Sequence, residues 1–343
     1  MTSYQRVALS IAHKKPDRTP IFNSFVPVLR DKLRKYLNVP ADKDLGLFLG
    51  NDIVVAGAGI EKSLFFSEKE TYTCPWNITW RNVANLTGHH SEIIVHPLSM
   101  DETLADWSIP DPTDPGNYVE IQRLLDYYKG EYWIAGSCRC TLFETAWYLR
   151  GLERLLLDMF DHPEYVDALF DKVLPYPRHV LTEFARRGVD MVWLGDDVGS
   201  QRGMLISPAM WRRFIKPRYK SLIQDIRAVR SDIVVAYHSC GNCKAIIPEL
   251  VEIGVDVLHP IQPKAMDPLD IKAEFGDRIV LFGALDLQEL MPYGSAKDVR
   301  REVGRLIQGC GKEGGFILAG AHHLQGDTPV ENVLAFYDAA CCG

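Results

Sequence analysis

An apolar, β-branched run, Ile233-Val234-Val235-Ala236-Tyr237, ends in a histidine and a cysteine two positions apart, His238 and Cys240, followed by Gly241. Such a run reads as a buried strand giving way to a loop. Residues i and i+2 of extended backbone project to the same side, so an imidazole nitrogen and a sulfur can meet at one point. That is half of a zinc site. Catalytic zinc takes three protein ligands from His, Cys, Asp and Glu and keeps one position for substrate or water. His322 is the expected third ligand, with Asp196 or Asp197 completing or modulating the set. The plain alternative is a buried histidine beside an inert thiol. Cys243 forms Cys-x-x-Cys with Cys240 but has no second cysteine pair, so its signal is weak.

Positioning these groups requires a scaffold, and the chain supplies one by alternation. Strand-like runs occur at residues 19–25, 52–57, 132–136, 191–194, 233–237, 255–259, 278–283 and 315–319. Helical patterns cover residues 3–13, 28–49 and 118–128, two runs within 141–187, and a last helix at 330–340, with others between the later strands. Eight strands alternating with helices predict an α/β fold, a closed (β/α)8 TIM barrel, spanning 1–343 as one domain. A doubly wound sheet is the alternative, but no Gly-x-Gly-x-x-Gly or phosphate-loop pattern follows the first strand. Residues 62–100 break the rhythm with alternating aromatic segments and the turn signal Asn85-Leu86-Thr87-Gly88, predicting a β-hairpin insertion after the second strand. His89 and His90 fall in it and read as solvated turn residues.

Polar residues follow the strands where barrel enzymes carry their active sites. They are Asn23, Ser137 and Cys138, Asp196 and Asp197, His238 and Cys240, His259, Asp286, and His322 with His323. We expect Asp196 and Asp197 to handle protons, Gln201 and Arg202 to orient a loop or substrate, and Asn23, Trp193, Tyr237 and His259 to line the substrate site. Other aromatic residues near this rim are Phe22, Phe25, Trp76, Trp80 and Trp147, and all of these rings also fit ordinary packing.

The 343 residues are 47% apolar and 24% charged, enough to bury a large core. A net charge of -7 argues against nucleic acid as the main partner. No apolar run approaches the roughly 20 residues that span a bilayer, and no signal core opens the chain, so we expect a cytoplasmic protein without a membrane partner. Eight cysteines in a long chain of this kind point to burial or metal binding rather than a disulfide framework. A homodimer is allowed for.

The segment Gly195-Asp196-Asp197-Val198-Gly199-Ser200-Gln201-Arg202-Gly203-Met204-Leu205-Ile206-Ser207-Pro208 resembles the uroporphyrinogen decarboxylase superfamily. So do His238-Ser239-Cys240-Gly241 and the stretch from Gly315 to His322 leading into Asp327-Thr328-Pro329-Val330-Glu331-Asn332-Val333. The resemblance implies a (β/α)8 barrel and offers two chemistries. The decarboxylases carry an arginine-bearing Met-Arg-Gln-Ala-Gly-Arg segment after the first strand, where this chain has Asn23-Ser24-Phe25-Val26-Pro27. The His-x-Cys pair is similar instead to that of zinc-dependent, corrinoid-linked methyltransferases, whose third ligand is commonly a later cysteine. His322 stands at the matching place here. The resemblance therefore implies zinc, a cobalamin (corrinoid) carried on a separate protein that docks at the barrel mouth, and a small methylated substrate such as a methoxyarene. Transfer from methyl-corrinoid to a thiol or folate, metal-independent decarboxylation at Asp196 or Asp197, and a non-enzymatic binding barrel are the competing readings.

Overall fold

The structure, a computed structural model, describes residues 1–64, 69–85, 88–99 and 104–342; the side chains of Asn85, His89 and Cys342 are outside the description. Its β-branched runs form β1 (Ile53–Gly57), β5 (Trp133–Ser137), β6 (Met191–Gly195), β7 (Val234–His238), β8 (Val257–Ile261), β9 (Val280–Leu285) and β10 (Phe316–Gly320). Between β1 and β5 lie β2 (Thr71–Thr73), β3 (Thr79–Asn85) and β4 (Gly88–Val95). The first set pairs in parallel in the order β1-β5-β6-β7-β8-β9-β10. Strands this apolar need both faces covered, which helices outside and side chains inside provide.

The predicted first strand closes the barrel without forming a regular ladder. Phe22 N–H donates to the Leu318 carbonyl at 3.1 Å, Leu318 N–H to Pro20 at 2.9 Å, and Asp52 N–H to Ile21 at 2.8 Å. Residues 20–25 thus bridge β10 and β1, with isolated pairs Ile21 to Leu318 and Phe25 to Leu324. The irregularity has a cause. Pro20 offers no N–H, and Asn23 spends its backbone on the side chain of Asn51, which accepts from Asn23 N–H at 3.0 Å and donates back to its carbonyl at 2.8 Å.

Period-two alternation sorts the strand residues. Ile53, Trp133, Ala135, Met191, Trp193, Val234, Ala236, Val257, Val280, Phe282, Ile317 and Ala319 fill the barrel interior, joined by Val7 from the helix Ser3–Ile11. Their neighbours, including Val192, Leu194, Val235 and Tyr237, pack outward against the helices.

Two helix predictions need correction. The pattern over 28–49 is broken into Pro27–Leu37 and Leu45–Leu49, because Asn38 takes a left-handed φ of 55° and Pro40 follows it. The two runs within 141–187 are four helices, Phe143–Arg150, Leu152–Asp161, Pro163–Val173 and Pro175–Arg187, punctuated by Gly151 and by prolines at helix starts. The insertion is a three-stranded antiparallel sheet, β2-β3-β4, rather than a two-stranded hairpin, with Tyr72 and Trp80 buried. Leu86 and Thr87 of its predicted turn lie outside the described residues. Among the described residues no helix is long and apolar enough to cross a membrane.

Candidate metal centre and its cavity

At the C-terminal ends of β6 and β7 two loops run backbone against backbone. Gly199 and Gly241 make this approach possible: a Cβ on Gly199 would sit 2.5 Å from the Cys240 carbonyl oxygen, and one on Gly241, whose φ is +75°, 2.5 Å from the carbonyl carbon of Gly199. Val198 N–H donates to Ser239 Oγ at 3.1 Å, and Asn242 N–H to the Ser200 carbonyl at 2.8 Å. This stitching carries Asp197 to the strand end that holds the histidine and cysteine.

Among the described residues one group of three metal-type donors forms, Asp197, His238 and Cys240, with one ligand atom of each within 4.8 Å of the others. His238 Nε2 lies 3.3 Å from Asp197 Oδ1 and 3.5 Å from Cys240 Sγ. Asp197 Oδ1 also accepts from Cys240 N–H at 2.7 Å. The other imidazole nitrogen, His238 Nδ1, sits 2.8 Å from His259 Nδ1. Burial, reinforced by the nearby His238 and Arg139, holds His259 well below the ordinary imidazole range, so its ring is neutral. A metal on Nε2 would leave the His238 proton on Nδ1, where the neutral His259 ring can accept it. The second histidine would thereby fix the tautomer of the first.

The electrostatics fit a cation. Burial opposes ionisation of Asp197, but its hydrogen bonds with His238 and the Cys240 N–H outweigh it, and the carboxyl ionises at about 2. Burial and then the carboxyls of Asp197 and Glu144 push the Cys240 thiol far above its ordinary range. A thiol among carboxylates stays protonated until a positive charge joins them, which a divalent ion would supply. One oxygen, one nitrogen and one sulfur make a three-ligand set of the kind that leaves a position open.

His322 is not in this group. Its ring centroid is 6.4 Å from that of His238 and 4.8 Å from that of His323. It stands in the cleft with much of its surface still open, and desolvation with the positive field of His238 and Arg139 lowers its pKa. His323 pairs through Nδ1 with Ser24 Oγ at 2.6 Å.

Three further expectations are corrected by geometry. Asp196 is fully buried, and its carboxylate accepts from Leu142 and Glu144 N–H at 2.9 and 3.0 Å and from Tyr219 OH at 2.5 Å, so it anchors the helix Phe143–Arg150. Tyr237 is one residue out of phase with His238 and therefore points into the helical layer, 5.4 Å from the Tyr219 ring. Gln201 and Arg202 stand exposed at the tip of a tight turn in which Ser200 N–H donates to Gly203, away from the donor group.

His238, His259, Asn23 and Trp193 do share one cavity of about 500 Å³ with Phe22, Phe25, His322 and His323. Its wall also contains Arg139 and Glu61, which sequence reasoning passed over although Arg139 stands between Cys138 and Cys140 directly after β5. Trp193 lies edge-on to His259 at 4.5 Å and stacks on Phe282 at 5.2 Å.

A barrel whose strand ends gather Asp, His and Cys beside an aromatic-walled cavity defines an enzyme-type site on a TIM barrel. The uroporphyrinogen decarboxylase (URO-D) family profile matches residues 88–341, and the chain belongs to that family. A uroporphyrinogen decarboxylase of Psychromonas ingrahamii is 35% identical over 251 residues, 71% of this chain and 69% of its own. Those of Thermus thermophilus and Legionella pneumophila are 28% and 26% identical, over 48% and 55% of this chain. The matched part spans only about half of those two relatives, 45% and 51% of their length. Among solved structures, a methyltransferase from Methanosarcina mazei superposes with a TM-score of 0.72 at 17% identity, covering 99% of this chain and 98% of its own.

Proposed function

We propose that the protein is a zinc-dependent methyltransferase that moves a methyl group from a small methylated donor, such as a methoxyarene, to the cobalt of a corrinoid on a separate protein docking at the barrel mouth. The observation that carries this is the Asp197, His238 and Cys240 donor group, whose histidine lines the aromatic-walled cavity. Those three residues would hold the metal. Bound there, zinc would act as a Lewis acid that makes the heteroatom losing its methyl group a better leaving group. The chain does the rest. His259 offers an acceptor for His238 Nδ1–H, which would leave Nε2 to the metal, Asp197 supplies a fixed negative charge, and Phe22, Phe25 and Trp193 wall off water around a flat donor. His322 faces the open side of the cavity, where it can meet a substrate.

Family membership alone fits decarboxylation equally well. Two features weigh against it. Asp196, one of the two carboxylates that reading would use, is consumed by backbone amides, and residues 23–27 carry no arginine. Metal analysis of the purified protein, followed by incubation with reduced cobalamin and a panel of methoxyarenes, methylamines and methyl thiols, tests the proposal. One zinc per chain and a methylcobalamin spectrum with at least one donor are expected. A metal-free protein that is inert towards cobalamin sinks it.

A further inference from the structure

Directly after β5 the chain places a guanidinium in the cavity wall. Arg139 Nε donates to Glu61 Oε2 at 3.0 Å and to Ser137 Oγ at 3.2 Å. Both bonds use the single Nε hydrogen, so the four hydrogens on Nη1 and Nη2 have no protein acceptor among the described residues. The side chain is only 21% exposed, and its guanidinium carbon sits 4.9 Å from the centroid of the Trp193 ring. These donors are free of protein partners on a side chain that lines the cavity, so a ligand there can take them up. The outer fork of an arginine matches one chemistry best, the two oxygens of a planar carboxylate. Glu61 occupies the opposite, Nε edge and leaves that fork open. Two other arginines line the same wall. Arg34 is spent on the carbonyls of Pro40 and Lys43, and Arg30 has only a 3.5 Å approach to Asp31, so the wall with Asp44 and Glu61 keeps an excess of cations.

We infer that the methyl donor carries a carboxylate, gripped by the outer fork of Arg139, with its carbon skeleton against Trp193 and its methylated end towards His238. This rests on the reading of the site as a methyl-transfer centre and adds the substrate class to it. Arg139 is here a binding residue, and the ligand it selects is an acid rather than its neutral analogue.

The test is calorimetric titration of the purified protein, with its zinc content measured, against benzoate, methoxyacetate, para-methoxybenzoate and the neutral para-methoxybenzamide. The acid should bind about tenfold more tightly than the amide, as expected for a charge-assisted pair. Arg139→Gln should bring acid and amide to within about twofold, and Arg139→Lys, which keeps the charge but not the fork, should retain a reduced preference. Failure of all three acids to bind at millimolar concentration overturns the inference. So does equal affinity for acid and amide, or a preference undiminished in a folded Arg139→Gln. If Arg139→Gln does not fold, an undiminished preference in Arg139→Lys decides the same way. A zinc-free protein with an Arg139-dependent preference for the acid would sink the methyl-transfer reading and leave this one standing. A zinc protein that demethylates neutral anisole as well as the acid sinks this one alone.

Discussion

The two ends of this barrel both place aspartates at strand ends, and they use them in opposite ways. At the N-terminal end an aspartate precedes every second strand through the sixth and accepts the N–H of the strand before it. Asp52 takes Ile21 N–H at 2.9 Å, Asp190 takes Ile134 N–H at 2.9 Å, and Asp256 takes Val235 N–H at 2.8 Å. Arginines complete two of them, Arg6 and Arg18 at Asp52 and Arg227 at Asp256. At the C-terminal end Asp197 shares its carboxylate with a histidine and a cysteine amide. Burial raises the carboxyl pKa of Asp190 and Asp256, whereas His238 overcomes burial at Asp197. Burial therefore does not distinguish a structural carboxylate from a functional one. What distinguishes them is whether the partners are saturating donors or groups that still have lone pairs to give.

If that contrast is right, substitutions at the two ends should separate stability from metal binding. Asp52→Ala removes the buried carboxylate shared by Arg6, Arg18 and the Ile21 amide, and should cost about 3–5 kcal/mol of unfolding free energy. The zinc bound per folded chain should not change. A drop in zinc stoichiometry with intact folding would break the comparison. His238→Ala should show the reverse, with zinc affinity down about a hundredfold or more and the melting temperature of the zinc-free protein almost unmoved. His259→Phe sharpens the point, because it fills the same space without an acceptor for His238 Nδ1–H. A loss of about 10–100-fold in zinc affinity is expected, and unchanged affinity would mean that the 2.8 Å pair does not set the tautomer.

Much of this division was legible in the chain, and the reason is periodicity. Strands at 52–57, 132–136, 191–194 and 233–237 appear within one residue of their predicted positions, because buried parallel strands need unbroken β-branched runs. Alternation also placed His238 and Cys240 together. The same rule, applied one residue further back, would have turned Tyr237 outward. Asp196 against Asp197 was not decidable from sequence: adjacent carboxylates differ only in which loop each meets, and the Leu142 and Glu144 amides that claim Asp196 come from more than 50 residues away. His322 failed to join the donor group for a related reason, since the geometry of the last loop depends on contacts such as Ser24 with His323. Arg139 was invisible because a lone arginine in a loop carries no periodic signal, and only the wall of the cavity gives it meaning.

The sulfur provides a finer test. In the metal-free protein burial and two carboxyls keep the Cys240 thiol protonated at neutral pH, and a metal can take only the thiolate. Binding must therefore expel that proton, so apparent zinc affinity should rise about tenfold for each unit of pH while the thiol remains protonated in the free protein. Titrations in buffers of different ionisation enthalpy should count about one proton released per zinc. Cys240→Ser should flatten the slope, and a flat slope in the unmodified protein would remove sulfur from the ligand set.

The smallest expected effect concerns the loop between the two halves of the donor group. Gln201 and Arg202 project from the turn Ser200–Gly203, and neither lines the cavity. Arg202→Ala should therefore move stability by no more than about 0.5 kcal/mol and leave zinc affinity unchanged. The turn itself is held by Ser200, whose Oγ and N–H both donate to the Gly203 carbonyl, at 2.8 and 2.6 Å. Ser200 in turn accepts Asn242 N–H on its own carbonyl, which ties the loop after β6 to the loop after β7. Positioning of Asp197 thus depends on backbone bonds that an arginine side chain does not touch. A marked loss of zinc in Arg202→Ala would show that the charge at the tip reaches the centre, and that the rim is less divided between structure and function than its hydrogen bonds indicate.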